Sequence, residues 1–316
     1  MSKFSNTKLL LVLVALGAVI GIVKYFDSRK GERNFRSELV DVDTSKISSV
    51  YIYPKSKKGQ EVKLFKEGGQ WKVRVNENKN QRVDTARIRG LFTTITGIKP
   101  GRLAARTTDK WKELEVDTSG TRVKVNEGDK KTLDITIGKF NFIGGRDVET
   151  FVRLEGDDET YAVNGFLDAT FNGGIDDWRD KTIIKGDKDS WTNLSFALGD
   201  TMRYQLVNQD SVWRVDGVAA TDNQKVTEYF NSISTLSGNA FIDDVESTSL
   251  GTPQGLLEIE DSIGNKIKVE AFTYGGKKIL RSSVNADNLI NGESLWEKVF
   301  ADKFRFLQVD TLLSTQ

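Results

Sequence analysis

Any chemistry in this 316-residue chain has to run on carboxylates, Lys, Tyr or Ser, because it contains no His and no Cys. That composition removes Ser-His-Asp and Cys-His nucleophiles, thiolate redox chemistry and His/Cys zinc sites. Carboxylates gather at Asp41/Asp43, Asp157/Asp158/Glu159, Asp176/Asp177 and Asp243/Asp244/Glu246. Such groups could hold a cation, or cleave a glycosidic bond if two of them faced each other across a cleft. None has the spacing of an EF-hand loop, and in a chain with 29% charged residues each reads first as a solvated loop. Four Gly-Gly pairs, Gly68-Gly69, Gly144-Gly145, Gly173-Gly174 and Gly275-Gly276, fall outside the dinucleotide and P-loop phosphate motifs and read as turns. Trp71, Trp213 and Trp178 could stack on a sugar ring, but the matching positions of the first two favour core packing. No catalytic, metal or cofactor residue is assigned, and no cofactor is expected.

With 46 Lys and Arg against 45 Asp and Glu, the formal charge is +1. No basic field is present to hold a polyanion, so nucleic acid is not expected as a partner. The length suffices for two domains with separate cores.

At the N-terminus, Leu9 to Val23 carries no charge and is flanked by Lys8 and Lys24, with Tyr25 and Phe26 as interfacial aromatics. Residues 1–26 read as a transmembrane anchor in contact with membrane lipid. A cleaved signal peptide is the rival reading, less favoured because it would leave an apolar mature start. Gly17 and Gly21 have the spacing that lets two membrane helices pack closely. Residues 27–45 read as a charged stalk, and Lys24 to Arg36 could touch anionic headgroups. The positive charge after the anchor favours, taken alone, a cytoplasmic C-terminal part.

The rest of the chain reads as one unit written twice, over 46–186 and 187–316. A two-strand run containing Trp71 corresponds to one containing Trp213. Each is followed by a helix, with Asp84 and Asp222 as N-caps and with Ile88, Leu91, Phe92, Ile95 and Val226, Tyr229, Phe230, Ile233 on one face. Phe92 and Phe230 are expected in the two cores with the tryptophans. Beyond the helix, Val123 to Ile135 matches Leu257 to Val269, each reading as two alternating strands around a Gly-containing turn. Trp178-Arg179-Asp180-Lys181 aligns by sequence with Phe300-Ala301-Asp302-Lys303, and the second copy reads as one strand short. The fold class expected is α+β: an N-terminal transmembrane helix, then two tandem repeats, each an antiparallel sheet packed by one or two helices.

The order of a W-x-V hairpin, an Asp-capped helix, Leu133 to Gly138 as L-x-I-x-I-G, Phe151-Val152-Arg153 and Tyr161-Ala162-Val163 resembles the bacterial domain-of-unknown-function family 4340. In the second copy Phe272 stands in place of the Gly. The resemblance implies a single-span inner-membrane protein with an exported, periplasmic or otherwise extracytoplasmic domain, often encoded beside gliding-motility-type ABC transporter subunits. Its implied function is that of a non-enzymatic accessory or scaffold subunit, with a transporter permease or auxiliary subunit as partner. The alternative is a carboxylate-dependent enzyme or carbohydrate-binding module acting on cell-envelope glycan. A third reading is a purely structural envelope spacer.

Overall fold

The computed structural model describes residues 35–217 and 219–307, together with Leu16, Gly17 and Ile20. Among the described residues no helix is long and apolar enough to cross a membrane. Most of the segment read as an anchor, including Gly21, lies outside the described residues. Gly17 is helical and exposed.

The fold is α+β and rich in antiparallel strands. Contacts group it into two compact units, one of Met1–Ile47 and Phe92–Phe171 and the other of Ser48–Leu91 and Asn172–Gln316. The first strands are β1 (Ile47–Tyr53), β2 (Val62–Glu67), β3 (Gln70–Asn76) and β4 (Lys79–Arg82), in spatial order β4-β3-β2-β1. Their alternation buries Val50, Ile52, Val62, Leu64 and Val73, because successive side chains point to opposite faces. Helix α1 (Thr85–Thr96) follows. Asp84 caps it, accepting from Ala86 N–H at 2.7 Å and Arg87 N–H at 3.2 Å.

In the first unit, β5 (Pro100–Ala105), β6 (Thr121–Glu127), β7 (Lys130–Ile143), β8 (Asp147–Leu154) and β9 (Thr160–Asn164) lie in the order β6-β7-β8-β9-β5. Helix α2 (Asp168–Phe171) closes this stretch. Residues 35–45, the end of the segment read as a stalk, lie along the end of this sheet that holds the β6–β7 and β8–β9 turns. There Arg36 pairs with Asp157 at 3.7 Å, Leu39 and Val40 are buried, and Asp43 N–H donates to Glu127 Oε1 at 2.8 Å.

The second unit continues through α3 (Ile175–Trp178), β10 (Thr182–Lys185), β11 (Trp191–Leu198), β12 (Met202–Gln209), β13 (Val212–Val215), β14 (Ala219–Ala220), α4 (Asn223–Ile233), β15 (Thr235–Ser237), β16 (Gly255–Asp261), β17 (Lys266–Tyr274), β18 (Lys277–Ser282), β19 (Asn285–Asn291) and α5 (Trp296–Val299). Its large sheet has the order β14-β13-β12-β11-β16-β17-β18-β19. The inward face of α4, Val226, Tyr229, Phe230 and Ile233, joins Trp191, Phe196 and Leu257 in one core. Asp222 caps α4, accepting from Gln224 N–H at 3.0 Å and Lys225 N–H at 3.3 Å. Asp222→Ala leaves those donors without their acceptor and should cost about 1 kcal/mol, read as a lower midpoint in urea unfolding; Asp222→Asn should retain most of the stability.

Two expectations are corrected. The second half does not lack the last strand: β19 pairs with β18 through Leu280↔Ile290. Its polar sequence disguised it, since the buried Asn285 and Asn288 spend their amides on Asp180 O and on each other. The counterpart of Trp178-Arg179 is Phe306-Leu307, rather than Phe300-Ala301. Asp84 N–H donates to Trp178 O at 3.2 Å and Asp222 N–H to Phe306 O at 2.8 Å, and the bridge Val83↔Arg179 is repeated as Thr221↔Leu307. A shared Asp-Lys pair had set the wrong register.

Gly138 and Phe272, at matching places on β7 and β17, do opposite work. A Cβ on Gly138 would lie 2.2 Å from Leu114 O and 2.8 Å from Val116 Cγ1, so the bare backbone lets the 114–116 segment close over the sheet. Lys139 N–H donates to that same Leu114 O at 3.0 Å. Phe272 instead fills the matching space and is buried among Ile242, Val245, Leu250, Ile279 and Leu289.

Candidate functional site

The acidic clusters are largely consumed by local structure. Asp43 accepts from Lys46 Nζ at 2.8 Å and from the Ser45 backbone and hydroxyl, and these bonds, the lysine's foremost, hold its carboxyl down to about 2. Asp157 faces Arg36, while Glu159 accepts from Tyr161 Oη at 2.7 Å. Asp177 accepts from Gly174 N–H, the residue preceding α3, and Asp244 from Lys277 Nζ. Among the described residues no group of three or more carboxylates is arranged to hold a metal ion.

Asp176 and Asp243 converge on Arg179, whose side chain is 0% exposed. The guanidinium donates to Asp176 Oδ1 at 2.8 Å, to both Asp243 oxygens at 2.6 and 2.8 Å and to Asn288 Oδ1 at 3.3 Å. Its other face lies 3.5 Å from the centre of the Phe241 ring, a contact that an ammonium group reproduces poorly. Burial pushes the Asp243 carboxyl up, but the hydrogen bonds from Arg179 and Lys79 outweigh burial and hold it below its ordinary value. Next to this knot, Arg82 donates twice to Asp180 Oδ2 and once to Val284 O. With every acid spent on a cation, the cluster ties segments together and leaves no carboxylate pair poised for acid–base work.

The tryptophans separate. Trp178 is buried. Trp71 and Trp213 are half-buried. Trp71 borders a cleft of about 460 Å³ shared with Arg82, Asp84, Arg89, Asp180 and Lys185. Trp213 packs edge-on against Phe230, ring centres 4.8 Å apart, beside a smaller cleft of about 200 Å³ that Trp191 and Asn208 also line. Phe230 is buried in the core and Phe92 is half-buried.

The feature most distinct from ordinary surface is the β7–β8 hairpin, which sequence reading passed over. Phe140, Phe142, Ile143 and the nearby Phe166 are 39%, 64%, 44% and 47% exposed. Phe140 meets Phe142 and Phe166 edge-on, at 5.7 and 4.6 Å between ring centres. Gly144 and Gly145, at φ of 57° and 84°, form the tip. Phe140, Phe142 and Phe166 form one exposed aromatic cluster, with Ile143 exposed next to it in the chain, a patch of the kind that sets interaction sites apart from ordinary surface. The signal was present in Phe140-Asn141-Phe142-Ile143, where apolar residues fall on both faces of a strand running into its turn, too far out for the sheet's core to cover.

A family model described as Domain of unknown function (DUF4340) matches residues 71–254, more than half of the chain. Comparison with curated proteins gives no match, and comparison with solved structures gives none either. The chain belongs to the DUF4340 family.

Proposed function

We propose that this DUF4340 member is a non-enzymatic, membrane-anchored accessory or scaffold subunit, exported beyond the bacterial inner membrane and docked on an ABC-type, gliding-motility-like transporter or another envelope complex. In this reading the N-terminal segment holds lipid, and Gly17 and Gly21 pack against a permease or a second anchor helix. Two tandem α+β repeats form the exported part, a view supported by the recurrence of β1-β2-β3-β4-α1 as β11-β12-β13-β14-α4. The observation that carries the proposal is the exposed aromatic hairpin. Strand β7 is 14 residues long, and at about 3.3 Å per residue it runs about 45 Å. Residues 36–43 cross the sheet at its start, so Phe142 and the turn stand at the far end from where the N-terminal segment joins. An anchored chain would thereby present this exposed aromatic cluster away from the bilayer, toward a protein.

The test is purification in mild detergent. Wild-type chain should bring down transporter subunits, and Phe142→Glu should reduce their yield about tenfold, as expected when about 1.4 kcal/mol of interface energy is lost. Recovery of the wild-type chain with no transporter subunit would overturn the proposal.

The half-exposed Trp71 beside its polar cleft favours one second reading, a glycan-binding module. Titration with envelope-glycan oligosaccharides should then quench tryptophan fluorescence in the wild type and not in Trp71→Ala. Unchanged fluorescence in the wild type would remove this reading.

A further inference from the structure

We infer that the β7–β8 hairpin binds its partner by strand addition, taking an extended, acid-flanked apolar segment of another protein along the open edge of β7. This rests on the docking reading above and names the chemistry of the partner.

The backbone supplies the first argument. Pairing of β6 with β7 ends at Thr121↔Ile137, whereas β8 stays paired with β7 through Phe140↔Thr150, Asn141↔Glu149, Phe142↔Val148 and Ile143↔Asp147. The Leu114 carbonyl covers the edge at Lys139. From Phe140 to Ile143, β8 lies on one side and, among the described residues, no strand lies on the other. An antiparallel strand turns alternate N–H and C=O groups to each side, so this stretch offers a ladder of donors and acceptors to a newcomer. Lipid tails cannot satisfy such groups; another backbone can.

Side chains fix the newcomer's pattern. Phe140 and Phe142 share one face with Phe166, so a strand laid along β7 needs apolar residues at alternate positions to meet them. Lys139 and Arg146 flank Phe140 to Ile143 along the chain, and Lys139 also lies near enough to Glu113 to help hold that carboxyl below its ordinary value. They ask for Asp or Glu at the ends of the incoming segment. The same two cations disfavour a second copy of this chain, since edge-to-edge pairing of identical hairpins would gather four like charges around one small patch. The bilayer is disfavoured by position, because the hairpin tip stands about 45 Å of strand length from the end of the sheet crossed by residues 36–43.

Full-length chain in its native membranes, carrying a photoreactive phenylalanine analogue in place of Phe140 or of Phe142, tests this. Both positions should cross-link to the same protein, with attachment points two residues apart in one apolar segment flanked by Asp or Glu. Combining the analogue with Lys139→Glu and Arg146→Glu should cut the adduct yield at least tenfold. Adducts to lipid, adducts to a second copy of the chain, scattered attachment points, or no adduct would each overturn strand addition. If transporter subunits still co-purify in those cases, the accessory reading survives alone. A paired adduct to a protein that is no transporter or envelope component would keep strand addition and sink that reading instead.

Discussion

Arg179→Ala is expected to destabilise the folded chain by about 3 kcal/mol, at the low end of what removing one partner of a buried ion pair costs. The low end applies because Asp176 and Asp243, 66% and 40% exposed, can recover water once the guanidinium is gone. What water cannot replace is the packing on Phe241 and the bond to Asn288. Arg179→Lys should not rescue, since a single ammonium cannot stack on the ring while reaching both carboxylates. Arg179→Leu should recover more than half of the loss, because Leu307 occupies the matching position in the second half and is well packed there. Urea unfolding at neutral pH reads all three, and an Arg179→Ala midpoint equal to wild type would show that the knot contributes nothing.

The same pair predicts a pH dependence. Asp243 is held below its ordinary value in the folded chain, so its contribution is fully present above about pH 4, the unfolded carboxylate range, and is lost as pH falls through the lower folded value. Burial also pushes up the Asp134 carboxyl, and the stronger hydrogen bonds from Arg122 and Lys131 bring it down, which gives the same sign. Wild-type stability should therefore decline as pH falls below about 4, and Arg179→Ala should decline less steeply there. Identical slopes for the two proteins would contradict the assignment.

The second large effect concerns the layer that lies over the sheets. Phe272→Ala should cost about 3–5 kcal/mol, the usual range for emptying a buried aromatic site. At the matching place in the first half the sign of the volume change reverses. Gly138→Ala adds one carbon and should still cost about 1–3 kcal/mol, because the added Cβ would lie 2.2 Å from a backbone carbonyl that cannot rotate away. If Gly138→Ala proved neutral while Phe272→Ala did not, the 114–116 segment would have to be free to lift.

Much of this was legible in the sequence because it follows local rules. Period-2 runs gave the strands, and Asp84 and Asp222 accept hydrogen bonds at the first turns of their helices. The gaps have physical causes. Strand β19 hides because Asn285 and Asn288 are polar yet buried, their amides satisfied by a carbonyl distant in sequence. The role of Arg179 could not be read because Asp243 and Asn288 lie 64 and 109 positions away along the chain. The aromatic hairpin reads as an ordinary strand until it is known that β6 ends short of it. Gly138 read as a motif residue, and only the Leu114 carbonyl gives the reason for it.

The central claim, an anchored chain whose folded part stands outside the cytoplasm, is tested most directly by protease accessibility in spheroplasts with a tag after Gln316. External protease is predicted to remove the tag and digest the folded part while cytoplasmic markers stay intact, despite the positive charge of Lys24 to Arg36. A chain protected until lysis would place the hairpin and both halves in the cytoplasm and contradict the account.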